Sequence, residues 1–229
     1  MMCWAFSLIV LSFGVPRIYR HTKVSERVYE KPETVVDVNG TEIKECMKIA
    51  ITFDDGPSPV STPALLDGLK KRNVKATFFL IGENAKKYTE LVKREWDEGH
   101  LIGNHTYHHV EITRIPDEEA INEIELTNQI IQEIIGEKPQ YMRPPFGAWQ
   151  RELEEEMSVM PVLWTIDPLD WTTTNVDEIV NKVVTEAGEG DIILLHDCYK
   201  SSVDAALRIV DLLQAKGFEF VTVDELLLD

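Results

Sequence analysis

The acidic pair Asp54-Asp55, the histidines His105 and His109, the guanidinium of Arg143, the acids Asp167 and Asp170, and His196 are the residues of this 229-residue chain whose types suit chemistry. Two imidazoles and one carboxylate form a ligand set for a divalent metal that leaves positions open for water and substrate. His105 and His109 lie four apart, so one turn of helix would put both on one face. An isolated pair at that spacing is more often two histidines of a polar loop, and His108 beside them shows how histidines gather without all serving as ligands. Adjacent carboxylates directed into one site repel, and a nearby cation relieves that. One acid on the metal and one free to take a proton is a natural division. Asp54-Asp55-Gly56-Pro57 is also good turn sequence; two histidines at a neighbouring strand end decide for the metal. His196 alone reads as a core histidine. With Asp170 to orient it and raise its pKa, it suits proton transfer near neutral pH. Arg143 would hold a carboxylate in place and keep it ionised.

What must position these residues is an alternation of short apolar runs with longer helical patterns. The runs are 48–53, 76–81, 100–104, 140–143, 161–166, 191–195 and 218–223. Helices are predicted near 61–72, 83–98, 117–136, 150–157, 176–187 and 202–216. The clearest is 117–136, where Ile121, Ile124, Asn128, Ile131 and Ile135 trace one stripe, Pro116-Asp117 opens the element and Gly136 closes it. Asn175 is a good N-cap for the helix after it. Strand–helix alternation repeated about seven times predicts an α/β fold with a parallel sheet, barrel or open. The reactive residues all end or follow strands. In such folds the carboxyl ends of the strands share one face, where active sites gather. Nothing in the sequence suggests a repeat of fixed length or a second globular domain.

Before this region lie three short segments. Residues 1–16 are apolar and uncharged, of signal-peptide or short membrane-anchor length, although the basic residues follow the run instead of preceding it. Residues 17–32 read as a basic linker, and 34–45 as a hairpin turning at Asn39-Gly40. The formal net charge is −17, with 44% apolar and 28% charged residues. A chain this acidic is a poor partner for nucleic-acid phosphates. Residues 1–31 hold five Lys/Arg against two acids, a net of +3, so the remainder carries −20. The acids of 117–137 and of 152–156 read as solvated helix surface. Three cysteines are too few for a disulfide scaffold and form no Cys-x-x-Cys pair. Cys198 reads as a small buried residue, and Trp149 and Tyr107 as core aromatics.

The segments Thr52-Phe-Asp-Asp-Gly-Pro57, His105-Thr-Tyr-His-His109, Arg143-Pro-Pro-Phe-Gly147, Asp167-Pro-Leu-Asp-Trp171 and Leu194-Leu-His196 resemble, in order and spacing, the five motifs of the polysaccharide deacetylase family (NodB homology, carbohydrate esterase family 4). The resemblance covers about residues 46–229. It implies a distorted (β/α) barrel of about seven parallel strands as one domain. It implies one divalent metal ion, zinc in first place with cobalt, iron, manganese or nickel as alternatives, on Asp55, His105 and His109. It further implies Asp54 as general base held by Arg143, and His196 as general acid tuned by Asp170. Trp171 and Leu194 become walls of the pocket for the acetyl methyl group. Phe146 stands where the family often has tyrosine; its implied role is backbone N–H donation to the oxyanion, which needs no hydroxyl.

The expected reaction is hydrolysis of the N-acetyl group of N-acetylglucosamine or N-acetylmuramic-type residues, releasing acetate. Peptidoglycan is favoured, chitin-like oligomers next. Acetyl-xylan or an exopolysaccharide with the same chemistry, and a non-catalytic glycan-binding module, are the alternatives. The expected partner is a polysaccharide, with no nucleic acid and with membrane association through residues 1–16. The expected location is extracytoplasmic, secreted or membrane-anchored facing the cell wall.

Overall fold

The computed structural model describes residues 34–36, 42–44, 46–149, 153, 157 and 159–228. The apolar segment 1–16, the basic linker, the Asn39-Gly40 turn and most of the helix expected at 150–157 lie outside the described residues. The hairpin strands themselves are present: β1 (Thr34–Val36) and β2 (Glu42–Lys44) pair antiparallel, Thr34 opposite Lys44.

From residue 47 the chain alternates as its sequence predicts. The strands are β3 (Met47–Asp54), β4 (Thr77–Leu80), β5 (Leu101–Asn104), β6 (Tyr141–Met142), β7 (Met160–Pro161), β8 (Ile192–His196) and β9 (Phe218–Val221). The helices are α1 (Thr62–Lys71), α2 (Gly82–Lys87), α3 (Thr89–Asp97), α4 (Asp117–Ile135), α5 (Val176–Glu186), α6 (Lys200–Ala215) and α7 (Val223–Leu228). All seven strands β3–β9 pair parallel in one sheet, in the order β7-β6-β5-β4-β3-β8, with β9 beside the first half of β3. The sheet curls. The segment after β7 crosses the gap to the other edge, where Thr165 N–H donates to Ile192 O and Leu194 N–H to Ile166 O. This is the distorted barrel in one α/β domain.

Three elements differ from the sequence reading. The helix expected over 83–98 is two, broken at Tyr88 (φ −125°, ψ 50°). Of the run 161–166 only its start joins the β6 ladder, because the rest is the crossing segment. The last run ends at Val221, and Val223 begins α7.

A parallel sheet covered on both faces reads as continuous apolar sequence, and β3 shows how its two faces divide the work. Ile49, Ile51 and Phe53 point outward into the main core beneath the helices, with Leu65, Leu66, Leu69, Ile209 and Leu213. Ala50, Thr52 and Asp54 point inward. The floor of the curled sheet is a small apolar cluster of Ala50, Phe79, Tyr141, Val162 and Ile192. Polarity rises from Ala50 through Thr52 to Asp54 at the strand end.

Candidate active site

Register sets the first contacts. In the parallel pair β3/β8, Thr52 lies beside Leu194 and Asp54 beside His196. The two residues expected to move protons are therefore strand neighbours, and Leu194 shares the inner face with His196. Arg143, just past β6, is fully buried inside the curl. Its Nη1 donates to Asp54 Oδ1 at 2.8 Å and to Thr52 Oγ1 at 2.6 Å; Nε and Nη2 donate to the carbonyls of Val162 and Leu163. The guanidinium lies over the Phe79 ring, 4.3 Å from its centroid. A cation so enclosed needs its donors filled; here they fix Asp54.

Asp55 turns out of β3 at φ +71°. Its Oδ1 lies 3.4 Å from Nε2 of His105 and 3.4 Å from Nε2 of His109. That oxygen is buried and has no hydrogen-bond donor. His105 Nδ1 donates to the Arg143 carbonyl at 2.6 Å, which turns its Nε2 lone pair toward Asp55. Burial of His109, with His105 nearby, lowers its pKa and favours the neutral, ligating imidazole. Burial alone would raise the Asp55 carboxyl; the imidazoles of His105, His196 and His109 outweigh it and hold the group below the usual carboxylate range. The three donor atoms lie within 4.8 Å of one another. An orphaned carboxylate oxygen facing two imidazole nitrogens fits a divalent ion of the zinc, cobalt or iron type.

The spacing of His105 and His109 does not produce a helical turn. Residues 105–109 form an irregular loop with Thr106 at φ +60° and His109 at φ +56°. Other elements hold this loop. Asn104 Oδ1 accepts from Thr106 N–H, and its amide is anchored on Ile124 O and Asn128 Oδ1 of α4. The first N–H groups of α2, at Gly82 and Glu83, donate to the carbonyls of Thr106 and Tyr107, and Asn84 Nδ2 donates to Asp55 O. Glu123 departs from its reading as solvated surface: it is buried, and it accepts from the N–H groups of Tyr107 and His108 and pairs with His108 Nδ1 at 2.7 Å. His108 is thereby held away from the ligand set.

His196 at the end of β8 meets Asp170, from the turn Asp170–Thr172, twice. Asp170 Oδ1 pairs with Nδ1 at 2.8 Å, and Oδ2 accepts the His196 backbone N–H at 2.8 Å. Burial opposes charge on the imidazole, but the Asp170 hydrogen bond and charge, with Asp54 and Asp55 behind, outweigh it and raise its pKa to about 9. Asp167 is a turn former, its Oδ1 accepting from Leu169 N–H. Phe146, at φ +60°, is exposed, with its ring edge-on to His109 at 5.0 Å. Trp171 is exposed on the turn that carries Asp170.

Five of the six described non-glycine residues at positive φ, namely Asp55, Thr106, His109, Phe146 and Leu169, sit on these strand-end loops. Backbone held in sparse conformations gathers where geometry serves function. The sequence profile of the polysaccharide deacetylase family matches residues 41–162. The peptidoglycan-N-acetylmuramic acid deacetylase PdaC of Bacillus subtilis is 43% identical over 178 residues, 78% of this chain and 38% of the relative. The chain belongs to the polysaccharide deacetylase family. The peptidoglycan-N-acetylglucosamine deacetylase PgdA of Listeria monocytogenes is 38% identical over 195 residues, 85% of this chain and 42% of the relative. The chain thus spans about two fifths of these relatives' own length. The solved structure of PdaC superposes with a TM-score of 0.77 at 42% identity, covering 79% of this deacetylase-family chain and 90% of that one.

Every candidate read from the sequence lies on or beside this face. Of the supports that hold it, Thr52 opens the first deacetylase-family motif, whereas Asn84, Asn104 and Glu123 lie outside the motifs. One further support is Asp197, fully buried, which accepts from Thr62 Oγ1. A Cβ on Gly56 would lie 2.6 Å from its carboxylate, so the loop behind Asp55 packs directly against it. Burial pushes its carboxyl up to about 7 against the Thr62 hydrogen bond. Cys198 is a thiol raised to about 12 by burial and the acids around it, which suits packing and not nucleophilic attack.

Proposed function

We propose that this chain is a metal-dependent N-deacetylase of a cell-wall polysaccharide, with peptidoglycan its first substrate and chitin-like oligomers its second. One observation carries the reading: the Arg143-held Asp54, the Asp55/His105/His109 donor set and the Asp170–His196 pair converge on one face of the sheet. The preference for peptidoglycan rests on the names of the two relatives above, both peptidoglycan deacetylases.

Asp55, His105 and His109 would hold the ion, zinc in first place, which when bound supplies a Lewis acid and lowers the pKa of water. Asp54 takes one proton from the attacking water, and Arg143 keeps that carboxylate aimed at it. The water oxygen bonds to the amide carbon. The oxyanion so formed faces the backbone N–H of Phe146. His196, held by Asp170, gives its proton to the sugar nitrogen as the C–N bond breaks. Acetate and a free amine leave. Trp171 and Leu194 flank the acetyl methyl group.

Residues 46–229 are the catalytic domain in this reading, with 1–16 as signal peptide or short anchor and 17–45 as linker and hairpin. Action outside the cytoplasm follows from the wall substrate. Among the described residues no helix is long and apolar enough to cross a membrane, and 1–16 lie outside them.

The test is acetate release from peptidoglycan, chito-oligomers, acetylated xylan and poly-N-acetylglucosamine, with and without chelator. Release from the first two, abolished by chelator and reduced at least about 100-fold in Asp54→Asn and His105→Ala, is the expected result. Native rates in either variant overturn the assignment.

A further inference from the structure

Single exposed apolar side chains are ordinary on protein surfaces. Their distribution here is not. The large aromatic side chains most exposed among the described residues are Phe146 at 67%, Trp171 at 57% and Tyr199 at 43%, and all three stand on the strand-end loops around the site. Phe146 lies against His109. Trp171 follows Asp170. Tyr199 plays no part in the chemistry proposed above, and no motif named in the sequence includes it.

Tyr199 is three residues past His196, its ring edge-on to the imidazole with centroids 6.3 Å apart. It is the N-cap of α6, in extended conformation (φ −111°, ψ 131°), and its carbonyl accepts from Val203 N–H. The ring is thus carried at the start of a sixteen-residue helix whose inner side is packed in the main core. A rigid aromatic face beside a catalytic group offers contact area at low conformational cost.

We propose that Tyr199 is a stacking platform for the pyranose ring next to the reacting residue, on the His196 side of the site. The inference rests on the deacetylase reading and deepens it. If His196 protonates the nitrogen, the reacting sugar lies against that imidazole, and the next ring of a linear glycan in that direction meets Tyr199. Phe146 stands on the His109 side. A chain lying from Phe146 to Tyr199 needs neighbours beside the reacting residue, so the favoured substrate class is a linear oligosaccharide or polymer, not a single amino sugar.

The experiment measures acetate release from chito-oligomers of two to six residues by the native chain, Tyr199→Ala and Tyr199→Phe. Binding of the tetramer is titrated calorimetrically in the inactive Asp54→Asn background, with and without Tyr199→Ala. Loss of one aromatic contact should raise KM for the longer oligomers, and weaken tetramer binding, roughly three- to tenfold. The change in kcat should be far smaller, the dimer should be affected less, and Tyr199→Phe should restore KM. An unchanged KM and unchanged tetramer affinity in Tyr199→Ala overturn the platform while leaving the deacetylase reading intact. A fall in kcat equal at all lengths also overturns it, since that means Tyr199 acts through His196. No acetate from any glycan, with no tetramer binding by the Asp54→Asn chain, overturns the deacetylase reading and the platform with it.

Discussion

His196 holds a proton above neutrality because Asp170 supplies both an acceptor for Nδ1 and a second acceptor for its backbone N–H. Removing the carboxylate charge leaves burial as the stronger influence, and burial favours the neutral ring. Asp170→Asn is therefore expected to lower kcat by about 10²–10⁴, the usual contribution of a general acid, and to move the alkaline limb of the pH–rate profile to lower pH. A profile from pH 5 to 10 with an unmoved limb would remove Asp170 from this role. Glu95 on α3 poses a different problem. It is fully buried, neither carboxylate oxygen has a donor, and burial first, with Asp197 nearby, holds its pKa well above 4.5. Its favourable contribution is complete below the unfolded value of 4.5 and is lost as pH rises, because the unfolded chain ionises while the folded one keeps the proton. Glu95→Gln should raise stability at pH 7.5 by about 1–3 kcal/mol, with the difference shrinking toward pH 4 in denaturant titrations. The catalytic candidates were legible because each ends or follows an apolar run. Glu95 and Glu123 were not, since a carboxylate on a helix reads as solvated until a loop or a neighbouring helix covers it. Val92, three residues before Glu95, shares its buried face and is the one local sign of its position.

At the scale of elements, apolar runs and caps told more than composition did. α4 begins and ends where its sequence predicts, with Asp117, Glu118 and Glu119 in its first turn and Gly136 at φ +84° closing it. Asn175 caps α5 by accepting from Asp177 N–H and Glu178 N–H. The break between α2 and α3 has neither glycine nor proline to announce it; it arises where Tyr88 leaves helical geometry. Its consequence is functional, because a short independent α2 turns its first N–H groups onto the His105–His109 loop. β5 carries the other element-scale dependence. A Cβ on Gly103 would lie 2.5 Å from the Phe79 ring and 3.2 Å from the Tyr141 carbonyl. Strand glycine marks such close approach, and Phe79 is the ring beneath Arg143. Gly103→Ala should cost about 1–3 kcal/mol by overpacking, seen as a lower denaturation midpoint. It should also slow acetate release beyond the loss of folded chain, as Arg143 shifts from Asp54.

The whole molecule joins an acidic exterior to a site that gathers carboxylates and imidazoles. A net charge of −17 attracts cations of any kind to the surface, but weakly and with screening over about 10 Å at 0.1 M salt. The donor set is different in kind. Asp55 comes from the end of β3 and the histidines from the loop after β5, so the set exists only once those strands are paired through β4. An ion that binds only the folded chain stabilises it by about 2.7 kcal/mol at 100 times its dissociation constant. For a chain of this size that raises Tm by roughly 5–10 °C. Zinc at micromolar concentration should produce such a shift at 300 mM sodium chloride as well as at 30 mM, where magnesium should not. Dipicolinate should reverse it. Asp55→Asn and His105→Ala should flatten the response to zinc, whereas replacing surface acids such as Glu118 and Glu119 should leave it whole. A shift that vanishes in high salt, or that survives in Asp55→Asn, would trace to the diffuse acidic surface and not to the three ligands. The total charge, a poor match for nucleic-acid phosphates, is thus separable by experiment from the one acid, Asp55, proposed as a metal ligand.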